Sequence, residues 1–256
     1  MSFDYITTGE AIAASGVRMT VVSGVPSPWG ESAKNILHIK NIAWSAVRLD
    51  LKDKAQLDWS KNNTAPALIN NQDHPIDKWD DILSFAEKLV PTPSLLPSEP
   101  SQRQLALKLS GDFCGSNGLG ANRRLQAIHL GLTGNGGFPK QVARYLADKY
   151  GYTEENGAAS VDRNIALLNK FSEQLLAQKE KGSPYYLGNA LSCVDIYSAT
   201  FCGLFSPLPE EHCKMDKGAR MVFENCDSAT RKALSPILLE HRDRMYTEYF
   251  ELPLSL

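Results

Sequence analysis

The stretch VPTPSLLPSEPS, residues 90–101, holds four prolines in twelve positions and constrains this chain more than any other feature. Proline lacks a backbone N–H and clashes with the preceding turn, so neither a helix nor a central strand runs through it. The stretch reads as a linker. It separates residues 1–89 from residues 102–256, and the two sides carry different periodicities.

Before the linker both periods occur. Val17, Met19 and Val21 alternate with Arg18 and Thr20, the spacing of a strand, and the run stops at Ser23-Gly24-Val25-Pro26. From Glu31 onward Ala33, Ile36 and Leu37 recur at helical spacing; Ala43, Val47 and Leu49 then return to strand spacing. A short apolar run over 65–69 predicts a further strand, and Ile82, Phe85, Ala86 and Leu89 predict a helix over 77–89. The order is β-α-β, then β and α, preceded by an extension over residues 1–15. After the linker only helical spacing is found, over 103–109, 122–132, 140–150, 161–178, 192–205 and 236–250. The chain therefore reads as an α/β domain followed by an all-α domain.

In LSCVDI, Ser192 suits a helix N-cap, Asp195 stands where a capping-box carboxylate reaches back, and Leu191 and Ile196 suit a hydrophobic staple. That element reads as structural. The loops GSNGLG and GLTGNGG have the wrong glycine spacing for a nucleotide fingerprint, and no strand precedes them.

Composition narrows the partners. The 256 residues carry a formal charge of −2, with basic and acidic side chains interspersed, which gives no surface for nucleic acid or acidic lipid. No apolar run approaches the roughly 20 residues of a membrane span. Asp4 and Glu10 within the first residues are unlike a secretory signal. Five widely spaced cysteines without a C-x-x-C pair suggest neither a disulfide framework nor a zinc site, and five histidines share no metal-ligand spacing. These features predict a cytoplasmic protein with no metal, no nucleic-acid partner and no membrane association.

SPWGESAKNILHIKNIAW, LKDKAQLDWSKNNTAPALI and SPYYLGNALSCVDIYSAT, in this order around the linker, resemble the cytosolic glutathione S-transferase superfamily. The first is similar to its serine-type turn, with the tau class nearest in motif and the omega class carrying cysteine there. The second is similar to the stretch with a lysine and a cis proline, and the third to the Leu-Gly-x-x-Leu-Ser-x-x-Asp element. The resemblance implies a thioredoxin-like domain over 1–89, an all-helical domain over 102–256, a homodimer, glutathione as co-substrate and a small-molecule electrophile.

It also implies site residues. Ser27 would be catalytic, its hydroxyl donating to the glutathione thiolate at the start of a helix, where free N–H groups favour an anion. Pro28, Trp29, Lys54, Ala65, Pro66, Asp77, Lys78 and Trp79 would bind glutathione. Ala65-Pro66 would add the tripeptide as a strand, and Lys54 would meet its glycine carboxylate. At the γ-glutamyl end the family's Glu-Ser is replaced by Lys78-Trp79, with Asp77 or Asp80 as a substitute carboxylate. Cys114, Asn122 and Arg123 would line the second-substrate cleft; Arg123 and Arg124 point about 100° apart on a helix, so they cannot both face it. Without a cysteine at position 27 the chain favours conjugation or peroxide reduction over thiol-disulfide exchange. Loss of the Glu-Ser pair keeps a second reading open: a transferase-fold protein that binds a ligand or partner without catalysis.

Overall fold

The computed structural model describes residues 3–252 and Leu254. The first half is built on β2 (Val17–Val21), α2 (Pro28–Ile39), β3 (Trp44–Arg48), β4 (Ala67–Asn70) and α4 (Trp79–Leu89), in the order read from the periodicities. Parallel β2 and β3 register Val17 opposite Trp44, and β4 runs antiparallel to β2 with Ala67 opposite Thr20.

Residues read as the N-terminal extension of this domain carry regular structure of their own. Phe3–Tyr5 forms β1, parallel to β3, and gives the sheet order β1-β3-β2-β4; Thr8–Ala13 forms α1 behind a Thr7/Glu10 capping box. A three-residue strand and a six-residue helix are too short to show a period, and the partner of β1 lies about forty residues away, so local pattern could not reveal them. Residues 1 and 2 lie outside the described residues.

A further helix, α3 (Lys54–Ser60), is capped by Asp53, whose carboxylate also accepts from Thr8 Oγ1 at 2.6 Å. α1 packs on α3 and α2 on α4, and every residue of β2 is buried, so both of its faces are covered. The alternation in β2 thus separates two covered faces. Arg18 is fully buried and donates to the carbonyls of Ala14 and Asn71.

The proline-rich stretch is pinned rather than loose. Lys40, at the end of α2, is buried; its ammonium pairs with Glu87 at 2.6 Å and donates to the carbonyls of Val90 and Pro93 at 2.7 and 2.8 Å. Leu95 and Leu96 are buried, and the Leu95 carbonyl accepts from Cys193 N at 2.8 Å.

The second half comprises α5 (Pro100–Cys114), α6 (Leu119–Thr133), α7 (Lys140–Tyr150), α8 (Glu154–Glu180), α9 (Cys193–Cys202), α10 (Lys217–Glu224), α11 (Ser228–Ala233) and α12 (Pro236–Glu248). Helix α9 is its core: every residue is buried, and it packs on α5, α12 and, across the domain junction, α2. Buried Asp195 in its first turn accepts from Ser192 N and Oγ, Tyr186 N and His241 Nε2 within 3.0 Å, so the carboxylate fixes three segments at once. Short α10 and α11, capped by Asp216 and Asp227, were not legible as periodic runs.

Two contacts tie the start of α2 to the helical half. Ser32 Oγ meets Thr200 Oγ1 at 2.6 Å, and Trp29 Nε1 donates to the Cys114 carbonyl at 3.0 Å. A Cβ at Gly120 would stand 2.6 Å from the Trp29 ring and 2.5 Å from Phe201, so the glycine permits this close approach. Among the described residues, no helix is long and apolar enough to cross a membrane.

Candidate functional site

The site begins where β2 hands over to α2. Ser27 N donates to the Val25 carbonyl at 2.9 Å, the Ser27 carbonyl accepts the first helical bond from Glu31 N at 2.8 Å, and Pro28 occupies the first helical position. Proline there costs no backbone bond and presets the helical φ. Ser27 is therefore the N-cap by position, yet its side chain makes no capping bond, and Oγ has no hydrogen-bond partner among the described residues. A hydroxyl used only to close the helix would bond to the amide two or three residues on.

Two adjoining cavities meet at Ser27. A polar one of about 350 Å³ extends towards Thr64, Ala65, Pro66 and Asp77 on one side and Cys114, Arg124 and Tyr150 on the other. A more apolar one of about 220 Å³ runs from Ser27, Pro28 and Trp29 between α6 and the 219–223 segment, past Ala127, Phe138, Leu146 and Phe223. Both are lined by Val22, Ser27, Trp29, Arg124 and Tyr150. The hydroxyl thus faces a space for a polar ligand and a space for an apolar one.

At the polar wall the Ala65-Pro66 peptide is cis. Asn62 Nδ2 donates to the Asp77 carboxylate, and Asn62 Oδ1 accepts from Thr64 Oγ1 at 2.8 Å, which fixes this corner. Asp77 is exposed to the cavity and supplies its carboxylate.

Several residues expected at the site stand elsewhere. Lys54 opens α3, is 85% exposed and pairs with Asp58 one turn on at 2.6 Å; it lines neither cavity. Lys78 is the exposed N-cap of α4, makes no capping bond and lines neither cavity. The Trp79 ring turns into the domain junction, edge-on to Tyr197 with centroids 5.6 Å apart, and its carbonyl accepts from Tyr197 Oη at 3.2 Å. The Trp79 side chain is therefore packed in the junction, where it borders a crevice of about 10 Å³. Asn122 is buried, with its amide donating to the carbonyls of Asn117 and Gly118 at 2.8 and 3.0 Å; it closes the loop between α5 and α6.

Arg123 touches the apolar cavity, but its guanidinium is committed to the protein. It donates to the carbonyls of Leu204, Val222, Phe223 and Asn225 and to Gln126 Oε1, all within 3.2 Å. It holds α10 and the end of α9 against α6. Arg124 is the neighbour that faces both cavities, as the 100° step requires of one of the two. Its Cζ lies 3.9 Å from the Tyr150 ring centroid and 4.6 Å from that of Trp29. Lys149 and Tyr150, at the end of α7, are site-lining residues that the sequence did not reveal; Lys149 Nζ reaches the Asn63 carbonyl at 2.8 Å. Their only sequence signal is an aromatic and a lysine before Gly151, an ordinary helix ending.

Cys114 lines the polar cavity at the end of α5, and its thiol is buried. Burial, with smaller contributions from Cys193 and Asp80, pushes that thiol well above its ordinary range. It is kept protonated and poorly nucleophilic. Burial raises Cys193 to about 12 and Cys202 to about 11. Among the residues that line both cavities, Ser27 and Tyr150 carry hydroxyl donors and Arg124 carries a cation that could meet an anion.

No family model matches the chain. In sequence it is 24% identical over 191 residues to a probable glutathione S-transferase, GSTU6, of Oryza sativa subsp. japonica, covering 71% of this chain and 70% of that one. In structure it is similar to a glutathione S-transferase of Methylobacillus flagellatus KT with glutathione bound (TM-score 0.64, 13% identity, 91% of this chain and 96% of that one). It is also similar to one of Methylobacterium radiotolerans in complex with glutathione sulfonate (TM-score 0.61, 16% identity, 91% and 92%). These likenesses define the class: the chain has the fold of the cytosolic glutathione S-transferase superfamily, a thioredoxin-like domain followed by a helical one.

Proposed function

We propose that the protein is a serine-type glutathione transferase, nearest the tau class, in which Ser27 activates the thiol of glutathione against a small electrophile. The observation that carries this is the Ser27 hydroxyl, at the N-cap position of α2 but without a capping bond, lining both cavities. Glutathione occupies the polar cavity in this reading. Its extended backbone lies along Ala65 and Pro66, and its ammonium faces Asp77, which replaces the family's glutamate from one position before Lys78.

The reacting group is the sulfur of glutathione, so the protein's task is to hold it ionised. Ser27 Oγ–H donates to the thiolate, the start of α2 contributes the positive end of its dipole, and the thiol proton leaves to solvent. The sulfur then forms a bond to the electrophilic carbon, and the leaving group departs with its electron pair. The electrophile sits in the apolar cavity, where Pro28 and Trp29 form one wall. Neither Lys54 nor Lys78 takes part, and Cys114 forms no mixed disulfide while burial keeps it protonated.

The same reading takes the protein as a cytoplasmic homodimer, for which light scattering is expected to give twice the chain mass of 28.2 kDa. Calorimetric titration with glutathione tests the central claim. Saturable heat at millimolar ligand or below, lost on Asp77→Ala, is the expected result; absence of both heat and thermal stabilisation overturns it in favour of a non-catalytic binding protein.

A further inference from the structure

The two adjacent arginines of α6 have opposite fates, and one of them is left with nothing to bind. Arg123 distributes its donors over four carbonyls and an amide. Arg124 has no hydrogen bond and no ion pair among the described residues; its guanidinium carbon lies over the rings of Tyr150 at 3.9 Å and Trp29 at 4.6 Å. The ring contacts use the cation's charge and leave its N–H donors uncommitted, so the fork remains open to a ligand. Burial lowers its affinity for the proton, with Tyr150 opposing, but an arginine remains charged at physiological pH.

The surroundings say what the fork would meet. The 220 Å³ cavity is mostly apolar, its polar side chains being Ser27, Tyr150 and the two arginines with the Trp29 indole committed to Cys114, and no carboxylate lines it. A cavity of roughly 150 Å³ already holds a benzene ring, so this one has room for a substituted ring. A half-buried cation without a counter-ion, above an apolar floor, favours a ligand that brings an anion on an apolar body.

We propose that Arg124, clamped between Trp29 and Tyr150, receives the carboxylate or sulfonate of an aromatic second substrate in the cleft beside Ser27. This rests on the transferase reading for its chemistry but not for its binding. Arg124 is a specificity-determining residue: it touches the substrate's acid group and leaves the reacting carbon to face the glutathione sulfur.

The test compares chlorodinitrobenzoate with neutral chlorodinitrobenzene. In both, the glutathione sulfur forms a C–S bond, the C–Cl bond breaks, chloride leaves and the thiol proton passes to solvent. For Arg124→Met, the ratio of kcat/KM for the acid over that for the neutral compound is expected to fall by about tenfold or more, the loss of a charge-assisted pair. Arg124→Lys retains the charge but not the fork, and an intermediate ratio is expected. Glutathione affinity by calorimetry is expected to follow the wild type in both variants. An unchanged ratio overturns the proposal, and so does loss of glutathione affinity, which would assign Arg124 to the tripeptide instead.

Direct binding of unreactive dinitrobenzoate, followed by tryptophan fluorescence, separates this inference from the previous one. Arg124-dependent binding by a protein that turns over neither electrophile upholds the anion site and sinks the transferase reading. Turnover of the neutral compound, with no Arg124-dependent binding of the acid, does the reverse.

Discussion

Replacing Ser27 by alanine isolates the step on which the proposed chemistry depends. The hydroxyl has no partner among the described residues, so its removal breaks no bond of the fold. Because no capping bond is lost although Ser27 is the N-cap, stability is expected to change by no more than about 0.5 kcal/mol. The effect on the bound thiol is much larger. A hydrogen bond to a charged acceptor contributes about 1.5–3 kcal/mol, and 1.36 kcal/mol corresponds to one pH unit of ionisation. Because the hydroxyl donates to the thiolate and not to the thiol, it pulls the thiol's pKa down. Its loss therefore raises that pKa by about one to two pH units. At pH below the wild-type thiol's pKa kcat/KM should fall about ten- to hundredfold, and the rising limb of its pH profile should move to higher pH by about one to two units. Above the variant's thiol pKa the two proteins should converge. The measurements are the ultraviolet absorbance of the bound thiolate against pH and kcat/KM for chlorodinitrobenzene over the same range. A Ser27→Ala protein with the wild-type profile would refute the assignment of the hydroxyl to the thiolate, whatever its absolute rate.

Gly120→Ala forces a methyl group to within 2.6 Å of the Trp29 ring and 2.5 Å of Phe201, so overpacking should cost about 1–3 kcal/mol in a urea melt. No loss of stability would mean that the two rings are not held together there. Arg123→Met leaves the carbonyls of Leu204, Val222, Phe223 and Asn225 without this donor and should lower stability by at least about 2–4 kcal/mol, whereas Arg124→Met, which breaks no hydrogen bond, should cost less than about 1 kcal/mol. Equal denaturant midpoints for the two variants would contradict the division of labour between the arginines. Alkaline pH should destabilise the fold through its buried thiols. Cys193 and Cys202 are raised in the folded state to about 12 and 11 from an ordinary 9.0, so between pH 9 and those values the unfolded chain has released protons that the folded chain retains. Their stabilisation is complete below pH 9 and is lost as pH rises through that window; the slope of melting temperature against pH should flatten in a Cys193→Ala, Cys202→Ala variant.

The domain division was legible because proline acts locally. Four prolines in twelve residues interrupt any regular structure regardless of surroundings, and the change from mixed to helical periodicity across them follows from which faces each element buries. The β-α-β-β-α order and most of the long helices were readable for the same reason. β1, α1, α3, α10 and α11 were not, since each has eight residues or fewer and derives its stability from partners distant in the chain. The cap at Ser192 and Asp195 was visible as a local pattern, but the bond from Asp195 to His241, 46 residues further on, was not.

Of the candidate site, the sequence by itself determined the turn. Ser27-Pro28 must open α2 and leave the serine at its N-cap, because proline is tolerated only in a helix's first turn. What the serine faces, only the tertiary structure decided. The assembly of α2, α6 and α7 turned the Ser27 hydroxyl away from its own helix, left Lys54 and Lys78 in solvent, folded Trp79 into the domain junction and chose between Arg123 and Arg124. Neighbours along a helix are chemically alike in sequence and about 100° apart in space. Which one becomes a peg and which one faces a ligand depends on the helices packed around them, and no short stretch of residues contains that information.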